Sequence, residues 1–379
     1  MMSPKSSDYR SSGSRTDFPD YRTRRNFLTK CCGTVIGGTL TASVSSAAKI
    51  RSDRLVRFGK TDLYVTRYCQ GTAFRQVPRD DRPEGRAILH RCLDVGINFF
   101  DSAEAYGWGG SETVLGRAIR GRRDEVVLCT KAAPSSAPVQ DPDPNKFKPG
   151  GLVTFSEKIL FEKLEGSLKR LRTDHVDLYL FHDWDGTTPA DLLAEWMDKL
   201  VQSGKTRYWG VSNFSAQQVA RFCEIAGARI GQSSIAGTED YYHIAVGERH
   251  DPELFKVIRN NHLGMLAFSP QNEGQLSPGR EDKLGKAKTP IVRALDKVAR
   301  ELGATRPQVC IAWVLSHPEV TSVLGGAESP EHVEENFGGT QLELPPDALA
   351  MLNAVSKKYL QHRLKRIEQV QAEKAQASN

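Results

Sequence analysis

The sequence predicts an α/β protein whose main domain is a closed (β/α)8 barrel of the TIM type. From residue 54 onward, eight short apolar runs alternate with amphipathic helical stretches. Strands that alternate with helices lie parallel, because each helix returns the chain to the same end of the sheet. Eight such units in a segment of about 290 residues fit a closed barrel better than an open sheet. No Gly-x-Gly-x-x-Gly motif follows the first strand, which argues against an open dinucleotide-binding sheet.

The predicted strands are continuous apolar runs, as expected for strands buried on both faces. In chain order they are RYCQGTA, INFFD, EVVLCTK, VDLYLFH, RYWGVSN, ARIGQSSI, LGMLAFSP and VTSVLGG. The helices between and after them are predicted in GRAILHRCLDVG, SETVLGRAIRG, FSEKILFEKLEGSLKRL, ADLLAEWMDKLVQSG, SAQQVARFCEIAG, DPELFKVIRNN, TPIVRALDKVARELG, RPQVCIAWVLSHP and SPEHVEENFG. Ser215 and Gln218 form a capping-box pattern at the start of one of them.

Three segments follow from this reading. Residues 1–48 form a leader, and residues 49–356 form the barrel domain, which begins with a β-hairpin. Residues 357–379 form a charged tail, for which a helix and a disordered segment are both open. Two long loops leave the C-terminal ends of the third and seventh strands, which is the end where a barrel builds its site.

The leader resembles a twin-arginine export signal. Arg24 and Arg25 precede Phe27 and Leu28, and a stretch rich in small apolar residues ends at a possible cleavage region, residues 46–48. That stretch is too short and too rich in Gly and Ser to span a bilayer stably. We therefore expect contact with the export machinery and a periplasmic location. A disordered basic tail, with the protein remaining in the cytoplasm, is the alternative.

Charge and cysteine content exclude several classes of partner. The net charge is +6, of which the leader carries +4, so the remaining chain is nearly neutral and predicts no binding to nucleic acid. The cysteines outside the leader are scattered through apolar segments without a Cys-x-x-Cys pair. They are interpreted as buried free thiols, and we expect neither a metal site nor a disulfide framework.

Polar side chains follow the early strands where each strand ends. Asp101 ends the second strand with Tyr106 just beyond it, Lys131 ends the third strand, and His182 follows the fourth. Each of these residues alone has an ordinary structural explanation, such as a turn cap or a core histidine. Because equivalent strand ends meet at one mouth of a barrel, four titratable groups are predicted to converge there.

These four groups suit proton transfer. A nearby ammonium favours the phenolate form of a tyrosine, so Lys131 is expected to lower the pKa of Tyr106 toward neutrality. Asp101 would hold the ammonium in place and charged. His182 would hydrogen-bond the oxygen of a bound carbonyl group and orient it toward Tyr106.

The segments around these residues resemble the aldo-keto reductases, a family of NAD(P)H-dependent (β/α)8 barrels that reduce carbonyls to alcohols. The similar segments are FFDSAEAYGWGGSETVLGRAI, VVLCTK, LEGSLKRLRTDHVDLYLFH and WGVSNF, and the likeness extends over residues 54–356. The resemblance implies that Asp101, Tyr106, Lys131 and His182 are the catalytic tetrad, with Tyr106 as the proton donor. It implies a carbonyl reductase or alcohol dehydrogenase with a small carbonyl or alcohol substrate.

The resemblance also implies which residues bind the cofactor. Ser212 and Asn213 would bind the nicotinamide carboxamide, and Phe268 would stack on the nicotinamide ring. Gln232 is similar to the family's glutamine on the sixth strand and is expected to contact the cofactor. Glu335 and Asn336 match the pair that contacts the adenine ring. The remaining residues implied are Gly71, Thr72, Asp101, Ser269 and Ser329. Trp108, Asp183 and Trp184 are expected to border the substrate pocket.

Two features depart from the family pattern. The segment after the eighth strand lacks the lysine and arginine that often bind the 2′-phosphate of NADPH, and Glu328 lies nearby. Ser329 can still donate to a phosphate, so NADPH is expected, with NADH as the alternative. The segment SSIAGTEDYYHIAVGERHD differs from the shorter, more apolar family segment, which indicates an altered pocket.

Two other functions are considered. A nucleotide-binding sensor or accessory subunit with little turnover is the alternative, because some barrels of this family serve as channel subunits. A hydrolase with Ser212 as nucleophile is weaker, because GVSNF lacks the Gly-x-Ser-x-Gly spacing.

Overall fold

A short antiparallel hairpin opens the folded part of the chain. The computed structural model describes residues 55–74, 83–134, 153–228, 235–246, 252–280 and 285–377. Strands β1 (Leu55–Arg57) and β2 (Tyr64–Thr66) pair antiparallel. The predicted N-terminal hairpin is therefore confirmed.

Eight parallel strands close into a barrel. They are β3 (Tyr68–Gly71), β4 (Phe99–Asp101), β5 (Val127–Ala132), β6 (Val176–Phe181), β7 (Thr206–Ser212), β8 (Gly237–Tyr241), β9 (Gly264–Phe268) and β10 (Ser322–Gly325). Each strand pairs with its neighbours in chain order, and β10 pairs with β3 to complete the ring. The predicted (β/α)8 barrel is confirmed, and all strand C-termini point to one mouth.

Helices cover the outside of the barrel. They are α1 (Pro83–Asp94), α2 (Gly110–Ala118), α3 (Glu157–Leu171), α4 (Ala190–Gln202), α5 (Ala216–Ala228), α6 (Pro252–Asn261), α7 (Thr289–Leu302), α8 (Arg306–Leu315), α9 (Pro330–Gly338) and α10 (Pro346–Ala377). Their apolar faces pack on the outward side chains of the strands and form the larger core cluster. The predicted capping box is present. The backbone N–H of Gln218 donates to Ser215 Oγ, and the backbone N–H of Ser215 donates to Gln218 Oε1.

The hairpin closes the N-terminal end of the barrel. Phe58, in the turn between β1 and β2, is buried and meets Phe99 edge to face with ring centroids 5.9 Å apart. Gly264 leaves the space for this ring, because a Cβ atom there would lie 2.5 Å from Phe58 ring carbons. With this end filled by apolar side chains, the opposite mouth is the open end of the barrel.

The sixth strand of the barrel lies later in the chain than expected. The sequence indicated ARIGQSSI, most of which lies outside the described residues, whereas the barrel strand between β7 and β9 is β8, Gly237–Tyr241. Gln232 lies outside the described residues. The inward position near the mouth on β8 is occupied by Glu239, which is opposite Ser212 in the strand register.

The two ends of the chain are described unequally. Residues 1–54, which include the leader and its twin-arginine motif, lie outside the described part of the chain. The tail is helical, since α10 runs across the expected boundary at residue 356 and buries Tyr359 against the core. Within the described residues, no helix combines the length and apolar character needed to cross a bilayer. Among the described cysteines, Cys69, Cys92, Cys129 and Cys310 are buried free thiols as predicted, whereas Cys223 is partly exposed.

Candidate active site

The four residues predicted to perform proton transfer meet at the open mouth of the barrel. Asp101 ends β4, and Lys131 is the penultimate residue of β5. His182 directly follows β6, and its amide donates to the Ala132 carbonyl oxygen at 2.8 Å. Tyr106 lies in the loop between β4 and α2. The parallel register of β4, β5 and β6 is what places residues far apart in sequence at one level of the rim.

Lys131 and Asp101 form the buried floor of the site. The Lys131 ammonium lies 2.5 Å from both carboxylate oxygens of Asp101, and both side chains are almost completely inaccessible to solvent. A further bond from Lys131 Nζ reaches the Ser102 carbonyl oxygen at 3.0 Å. A buried ammonium is tolerated only when paired and hydrogen-bonded, and these contacts satisfy that condition.

Tyr106 and His182 form the layer above, and both are only partly buried. Lys131 Nζ donates to Tyr106 Oη at 3.4 Å. The tyrosine and histidine rings meet edge to face with centroids 5.4 Å apart. A small oxygen-containing group at this mouth can therefore meet a phenol and an imidazole together.

The pKa shifts define which of these groups carry protons. Burial raises the pKa of Tyr106, and the negative charges of Asp101 and Glu239 add to it, while Lys131 opposes the shift. The expectation that Lys131 brings this pKa toward neutrality was wrong, because the loss of hydration outweighs the attraction of the ammonium. The phenol is protonated at neutral pH, as a proton donor must be.

His182 is neutral at physiological pH. Desolvation, followed by the positive charge of Lys131, lowers its pKa from 6.5 to about 3. A neutral imidazole has one N–H group, which can donate a hydrogen bond to a carbonyl oxygen without transferring a proton. This matches the orienting role expected for His182.

Glu239 is a member of the site that the sequence reasoning missed. Its carboxylate Oε1 lies 3.4 Å from Lys131 Nζ, and the side chain is buried. A carboxyl oxygen of Glu239, one of Asp101 and the thiol of Cys129 all lie within 4.8 Å of one another. The Lys131 ammonium already contacts both carboxylates and supplies the positive charge there. The carboxylate within the otherwise strand-like GTEDY was the available signal.

The residues expected to bind a nicotinamide follow the strand ends around the same mouth. Gly71 ends β3, and Thr72 donates through both its amide and its hydroxyl to the Asp101 carbonyl oxygen, at 3.0 and 3.1 Å. Ser212 ends β7 and is buried, while the exposed Asn213 donates from Nδ2 to the His182 carbonyl oxygen at 3.0 Å. These bonds tie the proposed nicotinamide-binding rim to the tetrad itself.

Further rim positions follow β9 and β10. Phe268 ends β9, and the next residue, Ser269, has a positive φ of 60°. Ser329 caps α9, and its Oγ accepts from the His332 amide at 3.2 Å. A Cβ atom at Gly326, in the segment between β10 and α9, would meet no atom within 4 Å.

Two of the predicted cofactor contacts lie on α9. The buried Asn336 already donates to Tyr68 Oη at 3.2 Å and accepts from Gln271 Nε2 at 3.0 Å. Glu335 is half-buried. Asn336 thus links α9 to β3 and to the loop after β9, and its role toward an adenine ring stays a prediction.

The predicted substrate residues lie at the rim. Trp108 is half-buried, in the loop that also carries Tyr106, with a positive φ of 51°. Trp184 packs partly against the core, and its indole nitrogen donates to the Thr188 carbonyl oxygen at 2.9 Å. Asp183 is exposed, and its Oδ1 accepts from the Trp184 amide at 3.0 Å. The contact of these residues with a substrate stays a prediction.

Fold and site together define a barrel oxidoreductase with a proton-transfer group at its mouth. The chain belongs to the Aldo/keto reductase family, whose sequence profile matches residues 70–357. Enzymes of this family reduce aldehydes and ketones, and the family implies the use of NAD(P)H.

Known proteins similar to the chain include enzymes and channel subunits. The uncharacterized oxidoreductase YrpG of Bacillus subtilis is 32% identical over 316 residues, which cover 78% of this chain and 94% of that protein. A probable voltage-gated potassium channel subunit beta of Oryza sativa subsp. japonica is 30% identical over 326 residues, with 78% and 94% covered. Methylglyoxal reductase YeaE of Escherichia coli is 30% identical over 293 residues, with 77% and 91% covered.

A solved structure supports the same fold. The crystal structure of the thermostable aldo-keto reductase Tm1743 with the inhibitor epalrestat has a TM-score of 0.63 and 27% identity to this chain. The similarity covers 79% of this chain and 99% of that structure.

Proposed function

We propose that the protein is an NADPH-dependent carbonyl reductase, and in reverse an alcohol dehydrogenase, in which Tyr106 donates the proton. The observation that carries this proposal is the bond from the buried Lys131 ammonium to Tyr106 Oη, beside the neutral ring of His182. When bound, the reduced nicotinamide supplies a hydride to the carbonyl carbon. The oxygen gains the proton of Tyr106, and an alcohol results.

Each residue of the tetrad has one task in this reaction. Tyr106 keeps its proton until a carbonyl oxygen acquires negative charge beside it, because its pKa is raised in the free site. Lys131 then stabilises the phenolate, and Asp101 holds Lys131 in position. His182 donates a hydrogen bond to the same oxygen and fixes its direction.

NADPH is the proposed cofactor, with NADH as the alternative. Gly71, Thr72, Ser212, Asn213 and Phe268 line the rim that would hold the nicotinamide end. Ser329 at the start of α9 is the proposed donor to the 2′-phosphate. A related aldo-keto reductase of Schizosaccharomyces pombe, named for NADP⁺, supports this choice. Glu328 opposes it, because a carboxylate repels phosphate.

Substitution of Tyr106 by Phe tests the proposal. Y106F removes the phenolic proton and keeps the ring, so turnover is expected to fall by about 10²-fold or more while cofactor affinity stays nearly unchanged. Turnover is followed by NADPH oxidation with a panel of small aldehydes, including methylglyoxal, and affinity by fluorescence titration. Equal turnover in Y106F and wild type would reject Tyr106 as the donor.

An accessory or sensor role is the second candidate, favoured by the similarity to channel beta subunits. In that role the barrel binds a nicotinamide nucleotide but reduces carbonyls slowly. Titration with NADPH and NADH, followed by the aldehyde panel, separates the two functions. Tight binding without turnover on any aldehyde would favour the sensor.

We also propose export by the twin-arginine route, which carries folded proteins and so permits transport with the cofactor bound. The support is Arg24 and Arg25 with the small-residue stretch after them. Replacing both arginines by lysine is expected to retain the protein in the cytoplasm, and fractionation measures this. Wild-type protein present only in the cytoplasm at full length would refute export.

A further inference from the structure

Two buried carboxyl groups face one buried ammonium at the floor of the site. Lys131 Nζ lies 2.5 Å from Asp101 and 3.4 Å from Glu239 Oε1, and all three side chains are at most 3% exposed. The second oxygen of Glu239, Oε2, is buried and has no hydrogen-bond partner in the described part of the chain. One positive charge can balance only one of these two carboxylates.

The other groups that face this cluster add no balancing charge. Cys69 on β3 and Cys129 on β5 are neutral thiols, because burial and the nearby carboxylates raise their pKa values well above the ordinary range. Tyr106, from the loop after β4, is a neutral phenol, and His182 after β6 is a neutral imidazole. If both carboxyl groups were ionised, the cluster would hold an uncompensated negative charge away from water, so one carboxyl group takes up a proton instead.

Glu239 is the member of the pair better suited to hold that proton. Asp101 uses both of its oxygens to bind the ammonium at 2.5 Å, whereas Glu239 approaches the ammonium with one oxygen at 3.4 Å. A carboxyl oxygen of Asp101 and one of Glu239 lie within 4.8 Å of each other. A hydrogen bond between the two groups needs a proton on one of them, because two carboxylates can only accept.

We propose that Glu239 is a protonated carboxylic acid that shares its proton with Asp101 and acts as a positioning residue for Lys131. It keeps the cluster electrically neutral and leaves the ammonium free to act on Tyr106. This inference rests on the proposed reductase function for its effect on turnover, but the protonation itself does not depend on that function.

The direction of the pKa shifts agrees with this assignment. Burial raises the pKa of Glu239 well above its ordinary range, and the negative charge of Asp101 raises it further. Burial also raises the pKa of Asp101, but its direct contact with Lys131 opposes that shift. When pH rises enough to ionise Glu239, the added negative charge makes Tyr106 a weaker acid. Carbonyl reduction is then expected to slow on the alkaline side.

Infrared spectroscopy of the free protein tests the protonation. The carbonyl stretch of a buried carboxylic acid is expected in the wild type near neutral pH and should be missing in E239Q, which replaces the acid by a neutral amide of the same shape. D240N is the matched control, because Asp240 is the next residue on β8 and bonds to Thr238 rather than to Lys131. The band assigned to Glu239 should remain in D240N.

Identical carboxylic acid bands in the wild type and E239Q would overturn the proposal. If E239Q does not fold, E239D serves instead, because it retains a carboxyl group at a changed distance from Asp101. Its band should shift in frequency, and an unshifted spectrum would count equally against the proposal.

The pH dependence of turnover tests the functional part. Relative to the wild type, E239Q is expected to lose the alkaline decline of kcat, whereas E239A should lower kcat about tenfold or more at every pH. A purely structural role for Glu239 would leave the pH profile of E239Q unchanged, and that result would overturn the proposal. If neither the wild type nor any variant reduces a carbonyl, the proposed reductase function is rejected. The infrared band still tests the protonation of Glu239 in that case.

Discussion

Lys131 stabilises its neighbours as well as serving the reaction. Its ammonium bonds both oxygens of Asp101 and donates to Tyr106, with all of the amine removed from solvent. In K131M the aliphatic volume is largely kept, but Asp101 is left as a buried carboxylate without a positive charge beside it. Removal of one member of a buried pair costs about 3–5 kcal/mol. We expect a lower unfolding temperature and a loss of turnover of about 10²-fold or more, measured by calorimetry and NADPH oxidation.

The double variant D101N/K131M separates these two effects. It removes both charges of the pair, so it should regain part of the stability lost in K131M without regaining turnover. A double variant that reduces carbonyls at the wild-type rate would show that the pair is dispensable for the chemistry.

His182 makes stability depend on pH through its lowered pKa. In the unfolded chain its pKa is near 6.5, whereas in the folded protein it is about 3. Between these values the unfolded state binds more protons than the folded state, so the free energy of unfolding falls as pH falls. Because the ring is partly exposed, we expect an effect of only about 1 kcal/mol between pH 7 and pH 5.

The variant H182Q should lose less stability than the wild type over this pH interval. Urea unfolding at both pH values measures the difference, with H262Q, at an exposed histidine, as the control. An equal loss of stability in wild type and H182Q would mean that His182 is protonated to the same extent in both states.

The hairpin of β1 and β2 depends on the absence of a side chain at the start of β9. A Cβ at Gly264 would lie 2.5 Å from the ring carbons of Phe58, inside a well-packed interior. Overpacking of this kind costs about 1–3 kcal/mol, so G264A is expected to unfold at a lower temperature. G285A is the control, because a Cβ at Gly285 meets no atom within 4 Å.

A second substitution tests the cause of that destabilisation. F58L in the G264A background frees space for the added methyl group, so it should restore part of the lost stability. If F58L and G264A destabilise independently, with additive changes in unfolding free energy, the two positions do not compete for one space.

Most strands could be predicted from sequence because strands that are buried on both faces consist of continuous apolar residues. β5 and β6, for example, are buried at every position. The exception is β8, which contains the carboxylates of Glu239 and Asp240. Glu239 is buried beside Lys131, which is distant in sequence, and Asp240 is buried with a hydrogen bond from Thr238, two residues earlier on the same strand. The pattern of apolar residues cannot show such partners. The preceding segment ARIGQSSI contains no acidic residue and therefore fits the pattern of a buried strand better.

The candidate site, like the strands, could be predicted in part. Asp101, Lys131 and His182 could be placed together because parallel register fixes strand ends at one rim. The direction of the Tyr106 pKa shift could not be obtained from sequence, since it depends on how completely the folded barrel excludes water. The same limit hid Glu239, whose importance comes from a contact across the barrel mouth.

At the scale of the whole molecule, charges are also buried between the barrel and its outer helices. Lys163 and Arg170 on α3 pair with Glu104 and Glu112, and these side chains are nearly or fully inaccessible. Thr130 on β5 donates to Glu112 at 2.6 Å, so the pairs join strand and helix layers directly beneath the catalytic rim. This network anchors the loop and helix that follow β4, and with them the position of Tyr106.

The hairpin covers the end of the barrel opposite the active site, and this position allows a prediction of how many N-terminal residues can be removed. The described contacts that fill the bottom begin with β1 and include Phe58, whereas the four proton-transfer residues lie at the opposite end. A chain lacking residues 1–48 is therefore expected to keep the unfolding temperature, NADPH affinity and turnover of the full-length protein. Removal of residues 1–66 should lower the unfolding temperature, because it uncovers Phe99, Gly264 and the apolar interior around them. Calorimetry and NADPH oxidation on both truncated chains check this, and equal unfolding temperatures would show that the hairpin does not stabilise the barrel.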